Sequence, residues 1–481
     1  MSDFRLPDMT RARLRGKYQA PIVRDALKIT PSQKELGAGL FYHVITYGCQ
    51  ANVRDGEVIS GILEEMSYTH TELLEEADII ILNTCAIRDN AEKRVLGEIG
   101  FLQNYKRQKP SLIIGLCGCM AQEEDVVNSV LQKYKTVDLI FGTHNLFEIP
   151  KMIEDIILKK EKSVRVYSHQ GSIFEGLPSV RSLNHKASVN IMDGCDKFCT
   201  YCIVPYTRGQ QRSRLMGDVL AEVQGLKDAG YKEVMLLGQN VNAYGKDIPD
   251  NGDFANLLNE VAKTGIERIR FTTSHPWDFT DGMIEAIAQN ANIMPFVHLP
   301  LQSGNNEILK RMGRRYTIDE YFAIFDKLKA SVKDIAISTD IIVGFPGETD
   351  EQFADTLKAV EYCKYDNAYS FIFSPRPGTP AARMEDDITT EVKKARLQQL
   401  NERLGYYSKL NNQKWVNRTV KVLVDGPSKN RPEIFAGYTP QQKLVNFETK
   451  GAIVGDIIDV KITQARKNSL NGVQIVGEND E

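Results

Sequence analysis

Residues 190–209 read NIMDGCDKFCTYCIVPYTRG, and three cysteines in that stretch, Cys195, Cys199 and Cys202, decide how the rest of the chain is read. Three thiolates this close together can hold three irons of a [4Fe–4S] cube and leave the fourth iron without a protein ligand. An open iron is a place for a substrate to bind and for an electron to leave. A structural zinc knot is the competing use of clustered thiolates, but it prefers two C-x2-C pairs or added histidines. The motif contains no histidine, and no second pair follows closely.

Bulk properties narrow the class. At 481 residues the chain should form two to four domains with ample core. It is 42% hydrophobic and 26% charged, and its formal net charge of −3 excludes a uniformly basic nucleic-acid coat. RNA contact must then come from local patches. No apolar run is long enough to span a bilayer, and the first residues lack the apolar core of a secretion signal. Eight cysteines clustered near loops argue for metal or redox chemistry in a reducing compartment, so a cytoplasmic protein is expected.

Residues 1–40 form a polar N-terminal extension with Arg11, Arg13, Arg15 and Lys17 in one run, read as a solvated tail or a supplementary RNA contact. From 41 to 170, β-branched apolar runs (FYHVITYG, ADIIILNT, SLIIGLCG) alternate with helical stretches, which predicts a small parallel α/β domain. Each run leads to a cysteine: Cys49, Cys85 and Cys119. Loops at the carboxyl ends of parallel strands converge on one edge, so these thiols could meet in space. Buried strand-end thiols are the alternative. Cys117 falls within its apolar run and Cys119 beyond it, which favours Cys119 as the ligand. Cys363 reads as an inert core thiol.

Six further strand-like runs between 185 and 387 alternate with amphipathic stretches and predict a partial (β/α)6 barrel, with its chemistry at the carboxyl ends of the strands. The cysteine triplet follows the first of them. A helical connector is expected at 388–415, then a small β-barrel of five strands at 416–477. Residues 415–477 carry nine Lys/Arg against five Asp/Glu, with Phe435, Tyr438 and Phe447 interleaved with Lys443 and Lys450. Aromatic faces beside positive charge suit single-stranded nucleic acid; buried core aromatics are the alternative.

The chain as a whole, from about 41 to 477, resembles the methylthiotransferase family of radical S-adenosylmethionine (SAM) enzymes. The residues that carry this are YGCQANVRDGE (47–57), NTCAIRDNAEKR (83–94) and GCMAQ (118–122), then GCDKFCTYCIVPYTRGQQRSR (194–214), HLPLQSGNNEILKRMGRRYT (298–317) and TDIIVGFPGET (339–349). The end module is similar to the RNA-associated TRAM domain. Ala51, Gly56 and Asp196–Lys197 depart from the favoured pattern without touching a ligand, and residues 1–40 lie outside the resemblance.

This resemblance implies two [4Fe–4S] clusters, a radical SAM one on Cys195, Cys199 and Cys202 and an auxiliary one on Cys49, Cys85 and Cys119. It implies SAM used twice, as methyl donor and as radical source, with both clusters facing one cavity. The expected substrate is N6-(dimethylallyl)adenosine (isopentenyladenosine) in a tRNA anticodon stem-loop, converted to its 2-methylthio derivative by a monomer with an external electron donor. Threonylcarbamoyl-adenosine in tRNA and a ribosomal-protein aspartate are the rival substrates in the family, and an RNA-binding protein with structural clusters is the rival class. For SAM, the backbone of Tyr201, the side chains of Gln239, Gln302, Ser303 and Asp340, and a close-approach turn at Gly344, Pro346 and Gly347 are the expected contacts; helix capping competes for such strand-end groups. Arg208, Arg212 and Arg214 are expected to meet a phosphate or the SAM carboxylate, against solvated surface as the alternative. Phe435, Tyr438, Lys443 and Phe447 are expected on the RNA platform.

Overall fold

The computed structural model describes residues 20–86, 89–167, 172–428 and 431–476. The Arg11–Lys17 run lies outside them. Ile79–Thr84 and Ile113–Gly118 are buried along their whole length, as central strands of a parallel sheet covered on both faces must be. They sit in a six-stranded, wholly parallel sheet ordered 69–70, 41–47, 79–84, 113–118, 139–141, 163–165. Two apolar cores fill its two sides. Helices Gln50–Glu65 and Ile149–Lys159 close one, and Asp89–Gln108 with Glu124–Lys133 close the other.

Residues 20–40 depart from the expected tail. Ile22–Arg24 pairs in parallel with Ile173–Glu175, and Leu27, Ile29 and Leu40 pack against the first of those cores. Apolar residues spaced through a polar stretch gave too weak a period to register in the sequence.

The central domain has parallel strands Lys186–Asn190, Glu233–Leu237 and Arg268–Phe271 on one side, and Phe296–His298, Ala336–Val343 and Asn367–Ile372 on the other. A bridge from Ile269 to Ile293 joins the two halves. Among the described residues the first and sixth strands do not pair, so the six-stranded barrel stays open along one side. Helix Thr390–Gln413 packs on the sixth strand and leads to a closed five-stranded barrel, in the order 419–428, 431–438, 444–448, 470–474, 457–465.

That small barrel plugs the amino-terminal end of the large one. Arg270 reaches the carbonyls of Pro440 (2.9 Å) and Thr439 (2.8 Å) while pairing with Glu233 at 2.9 Å, and Arg268 reaches the carbonyl of Tyr438 at 2.8 Å. Lys443 pairs with Asp366 at 2.8 Å, and Asp425 with His185 at 3.0 Å. Among the described residues no helix is long and apolar enough to cross a membrane.

Candidate active site

Cys49, Cys85 and Cys119 each follow the carboxyl end of a strand, and two glycines let their loops close on one another. A Cβ on Gly48 would lie 2.4 Å from the Cβ of Cys85, and one on Gly118 would lie 2.4 Å from the carbonyl of Thr84. Both glycines have positive φ, +131° and +87°. Buried Asn52 ties the first two loops: its amide donates to Asn83 Oδ1 and the Thr84 carbonyl, both at 3.2 Å. Sequence reading passed over Asn52, although it stands three residues after a candidate ligand.

The thiols fit a soft metal centre. A hydrogen bond with Cys85 pulls the Cys49 thiol down, opposed by burial and assisted by Arg208 and the backbone of Asn52 and Ala51. Burial pushes the Cys119 thiol up, opposed by Arg208. Cys117 points into the sheet's apolar core and Cys363 into that of the large barrel, its thiol pushed up to about 12 by burial.

Cys195, Cys199 and Cys202 lie on an irregular loop after the first barrel strand. Its start is fixed by Gln239, whose Oε1 accepts from the Gly194 amide, and its end by Cys202 N–H donating to the Cys199 carbonyl at 2.9 Å. Burial, reinforced by the neighbouring thiols, pushes Cys195 and Cys202 up, the latter to about 12. A metal is what makes such a thiol group ionise. Arg314, fully enclosed, donates to Cys199 Sγ at 3.6 Å and to the Pro300 carbonyl at 3.0 Å.

The loops that carry the two triads meet. Ile203 and Tyr206, just past the cluster loop, pack against Ala86 and Cys119, and Thr143 donates to the Thr207 carbonyl at 2.8 Å. The carboxyl edge of the N-terminal sheet therefore caps the carboxyl edge of the barrel.

Several expected contacts turn out otherwise. Arg208 is buried, pairs with Asp55 and donates to Cys119 Sγ at 3.3 Å. Arg212 is buried on the carbonyls of Arg208 and Gln210. Arg214 forks onto Glu175 and meets Glu222 at 2.6 Å. All three line an interdomain cleft of about 480 Å³; Arg208 and Arg214 are neutralised by its acids, while Arg212 is buried on backbone carbonyls with no acid paired to it among the described residues, so neither Arg208 nor Arg214 offers free charge to RNA phosphate or the SAM carboxylate. Gln239 is engaged with Gly194, and Ser303 accepts from the Asn305 amide at the start of helix Asn306–Arg311. Lys393 fills the space a side chain on Gly344 would take, and Gly344 N–H donates to Glu348 at 2.7 Å. Phe447 is 1% exposed in the small barrel's core with Phe435 packed against it, and Lys443 is held by Asp366, so neither Phe447 nor Lys443 offers RNA a surface. Tyr438 lies under Lys186 Nζ, 5.0 Å from its ring centre.

What stays on the inner surface is Tyr201, Gln302 and Asp340. Among the described residues, the Tyr201 backbone and the Gln302 side chain make no hydrogen bond. Asp340 meets His298 Nε2 at 3.2 Å, and His298 Nδ1 meets Ser338 Oγ at 2.8 Å. At the rim Trp277, 46% exposed, has Lys197 Nζ 4.2 Å and the Arg315 guanidinium 5.3 Å from its ring centre. His298 opens a family motif but has no role legible in sequence, and Trp277, on the short helical turn Pro276–Asp278, carries no motif or spacing to mark it.

Comparison with known proteins agrees with this architecture. Residues 41–142 match the family model described as uncharacterized protein family UPF0004, 189–360 the radical SAM superfamily, and 413–475 the TRAM domain. The protein of Staphylococcus haemolyticus named tRNA-2-methylthio-N(6)-dimethylallyladenosine synthase is 50% identical over 98% of this chain and 91% of its own length. One of the same name from Staphylococcus aureus is 48% identical over 98% and 91%. That coverage reaches into the first forty residues, which the sequence motifs alone left outside the family. In fold, the radical S-adenosylmethionine methyltransferase TsrM from Kitasatospora setae, solved with cobalamin and a [4Fe-4S] cluster bound, aligns with TM-score 0.52 at 12% identity over 72% of this chain and 74% of that one. With both cysteine triads, the capped barrel and the small end barrel in one polypeptide, the chain belongs to the tRNA-2-methylthio-N(6)-dimethylallyladenosine synthase family of radical SAM methylthiotransferases.

Proposed function

We propose that the chain places the adenine of N6-(dimethylallyl)adenosine, in a tRNA anticodon loop, between its two cysteine triads for methylthiolation at carbon 2. The observation that carries this is the packing of Ile203 and Tyr206, just past the Cys195–Cys202 loop, against Cys119 and Ala86 of the N-terminal sheet's edge. An sp2 C–H is inert to acid–base chemistry, so the hard step belongs to cofactors and the protein supplies placement. When bound, the two [4Fe–4S] clusters and SAM supply the electron, the radical and the sulfur and methyl groups.

The chain's residues then divide the work. Cys195, Cys199 and Cys202 would hold one cluster and Cys49, Cys85 and Cys119 the other, each leaving one iron open. Gln239 pins the backbone ahead of Cys195, and Arg314 and Arg208 each set a cation against one triad. Tyr201 backbone, Gln302 and Asp340 are the groups left to hold SAM. Capping by the N-terminal sheet keeps water from the gap. Trp277 with Arg315 offers the RNA loop an aromatic face and positive charge at the rim, Lys197 being already paired with Asp278 at 2.6 Å. Both triads come from one polypeptide, which supports a monomer served by an external electron donor. Eight free thiols suit a reducing, cytoplasmic setting.

Mass spectrometry of tRNA nucleosides from cells lacking the gene tests the reading: the 2-methylthio derivative of dimethylallyladenosine should vanish while its precursor accumulates. Loss of a methylthiolated threonylcarbamoyl-adenosine instead would transfer the assignment to that branch. Were the clusters only structural in an RNA-binding protein, reduced protein given SAM would form no 5′-deoxyadenosine.

A further inference from the structure

The sixth barrel strand, Asn367–Ile372, presents two different faces. On one, Ala368 and Ile372 pack into the main core beside Leu397 and Leu400, and Ser370 donates to Asn401 of the long helix. On the other, Tyr369 is 52% and Phe371 44% exposed, with no helix over them. This second face is the inside of the barrel. Register pairs Asp340 with Tyr369 and Ile342 with Phe371, and the Tyr369 ring meets the inward-facing His298 ring edge-on at 6.1 Å.

Two uncovered aromatics on the inner face of an edge strand leave apolar area in water that nothing else in the described chain buries. They stand along the side where the barrel is open. Ile342, opposite Phe371, packs in the small apolar cluster that includes Tyr201 of the cluster loop, so the apolar strip ends beside the Cys195–Cys202 triad. Asp340 and His298 supply polar groups beside Tyr369, and Gln302 bridges to Ile341 next to Ile342. An aromatic wall that is apolar at one end and polar at the other matches an adenine ring carrying an uncharged, branched five-carbon tail. It would not suit a threonylcarbamoyl group, whose carboxylate would be desolvated against Phe371.

We propose that Ile342, Tyr369 and Phe371 form the wall that receives the N6-dimethylallyl group and makes the enzyme prefer prenylated over bare adenosine. The inference rests on the function proposed above and adds the residues that read the tail. Differences of one methylene in an apolar pocket alter discrimination by about 10- to 200-fold, so loss of a whole ring from the wall is readable.

The test uses the iron-loaded full chain and two anticodon stem-loop RNAs identical except for the dimethylallyl group. Affinity and kcat/KM are measured for wild type, Phe371→Ala, Phe371→Leu and Tyr369→Ala. Phe371→Ala and Tyr369→Ala should each lower the preference for prenylated RNA by about tenfold or more, and Phe371→Leu should recover most of it because apolar volume is kept. Wild-type preference in both alanine variants overturns the wall while leaving the proposed function standing. Equal loss on both RNAs, unrepaired by leucine, also overturns it, since that is what a structural defect does. A wild type indifferent to the prenyl group brings down the wall and the underlying function together.

Discussion

Arg208, carried by the barrel, places its Nε 3.3 Å from the Sγ of Cys119, carried by the N-terminal sheet. The same guanidinium pairs with Asp55 on the helix that follows Cys49, so one side chain ties the cluster loop of one domain to the ligand loops of the other. Removing one partner of a buried, hydrogen-bonded pair costs about 3–5 kcal/mol, because the other charge is left unpaired. Arg208→Ala should therefore lower stability by that order and shift the auxiliary cluster's reduction potential downward, as a donor to a ligand sulfur favours the reduced form. Denaturant titration together with an EPR-monitored redox titration checks both. An unchanged potential would show that the contact is packing alone.

Gly118 makes a sharper structural prediction. With φ of +87° and only 2.4 Å between a built Cβ and the Thr84 carbonyl, Gly118→Ala must push Cys119 away from Cys85. The variant should fold, bind iron at the barrel site and lose the auxiliary cluster, halving iron per chain. Gly176, also at positive φ but with open space around it, is the control: Gly176→Ala should retain all its iron.

The end barrel is docked as well as tethered. Arg270→Ala leaves Glu233 buried without its partner and frees the carbonyls of Thr439 and Pro440, again a loss of about 3–5 kcal/mol. Hydrogen exchange should rise first at 438–444. A variant in which those amides stay protected would contradict the docking described. Cutting the chain before residue 416 would bare Arg268 and Arg270 too, so weakened tRNA binding after truncation needs this point variant beside it.

Glu123, four residues past Cys119, has its carboxyl pushed up from an ordinary 4.5 to about 7, mainly by burial and secondarily by Glu92. Between those values the native state holds a proton that the unfolded chain has released, so stability falls as pH rises through that window. Glu123→Gln should flatten the dependence and leave the protein more stable than wild type at pH 8. Thermal melts at half-unit steps from pH 5 to 8 decide it; parallel curves for the two proteins would contradict the assignment.

Much of this was legible in sequence because the chemistry is local. The spacing of Cys195, Cys199 and Cys202 marks a cluster loop by itself, and strand runs ending at Cys49, Cys85 and Cys119 put three thiols at one sheet edge. The small barrel's five strands showed as alternation between turn residues. What failed were polar residues at strand ends. Ser303 and Asp340 look alike in sequence, yet one is spent on the Asn305 amide ahead of a helix and the other faces the barrel interior beside His298. Arg208 and Arg214 likewise read as free charge because Asp55 and Glu175, which pair with them, lie far back along the chain, and Arg212 because the carbonyls that hold it leave no mark in the sequence. Phe447 alternates like a surface aromatic until closure of the barrel fixes its inward side.

Iron counting on anaerobically reconstituted protein tests the two-triad site most directly. Full-length chain should bind about eight irons, falling to about four when Cys49, Cys85 and Cys119 are all alanine, and to about four again when Cys195, Cys199 and Cys202 are. An N-terminal triple variant that keeps the wild-type count would contradict a second cluster opposite the barrel's own.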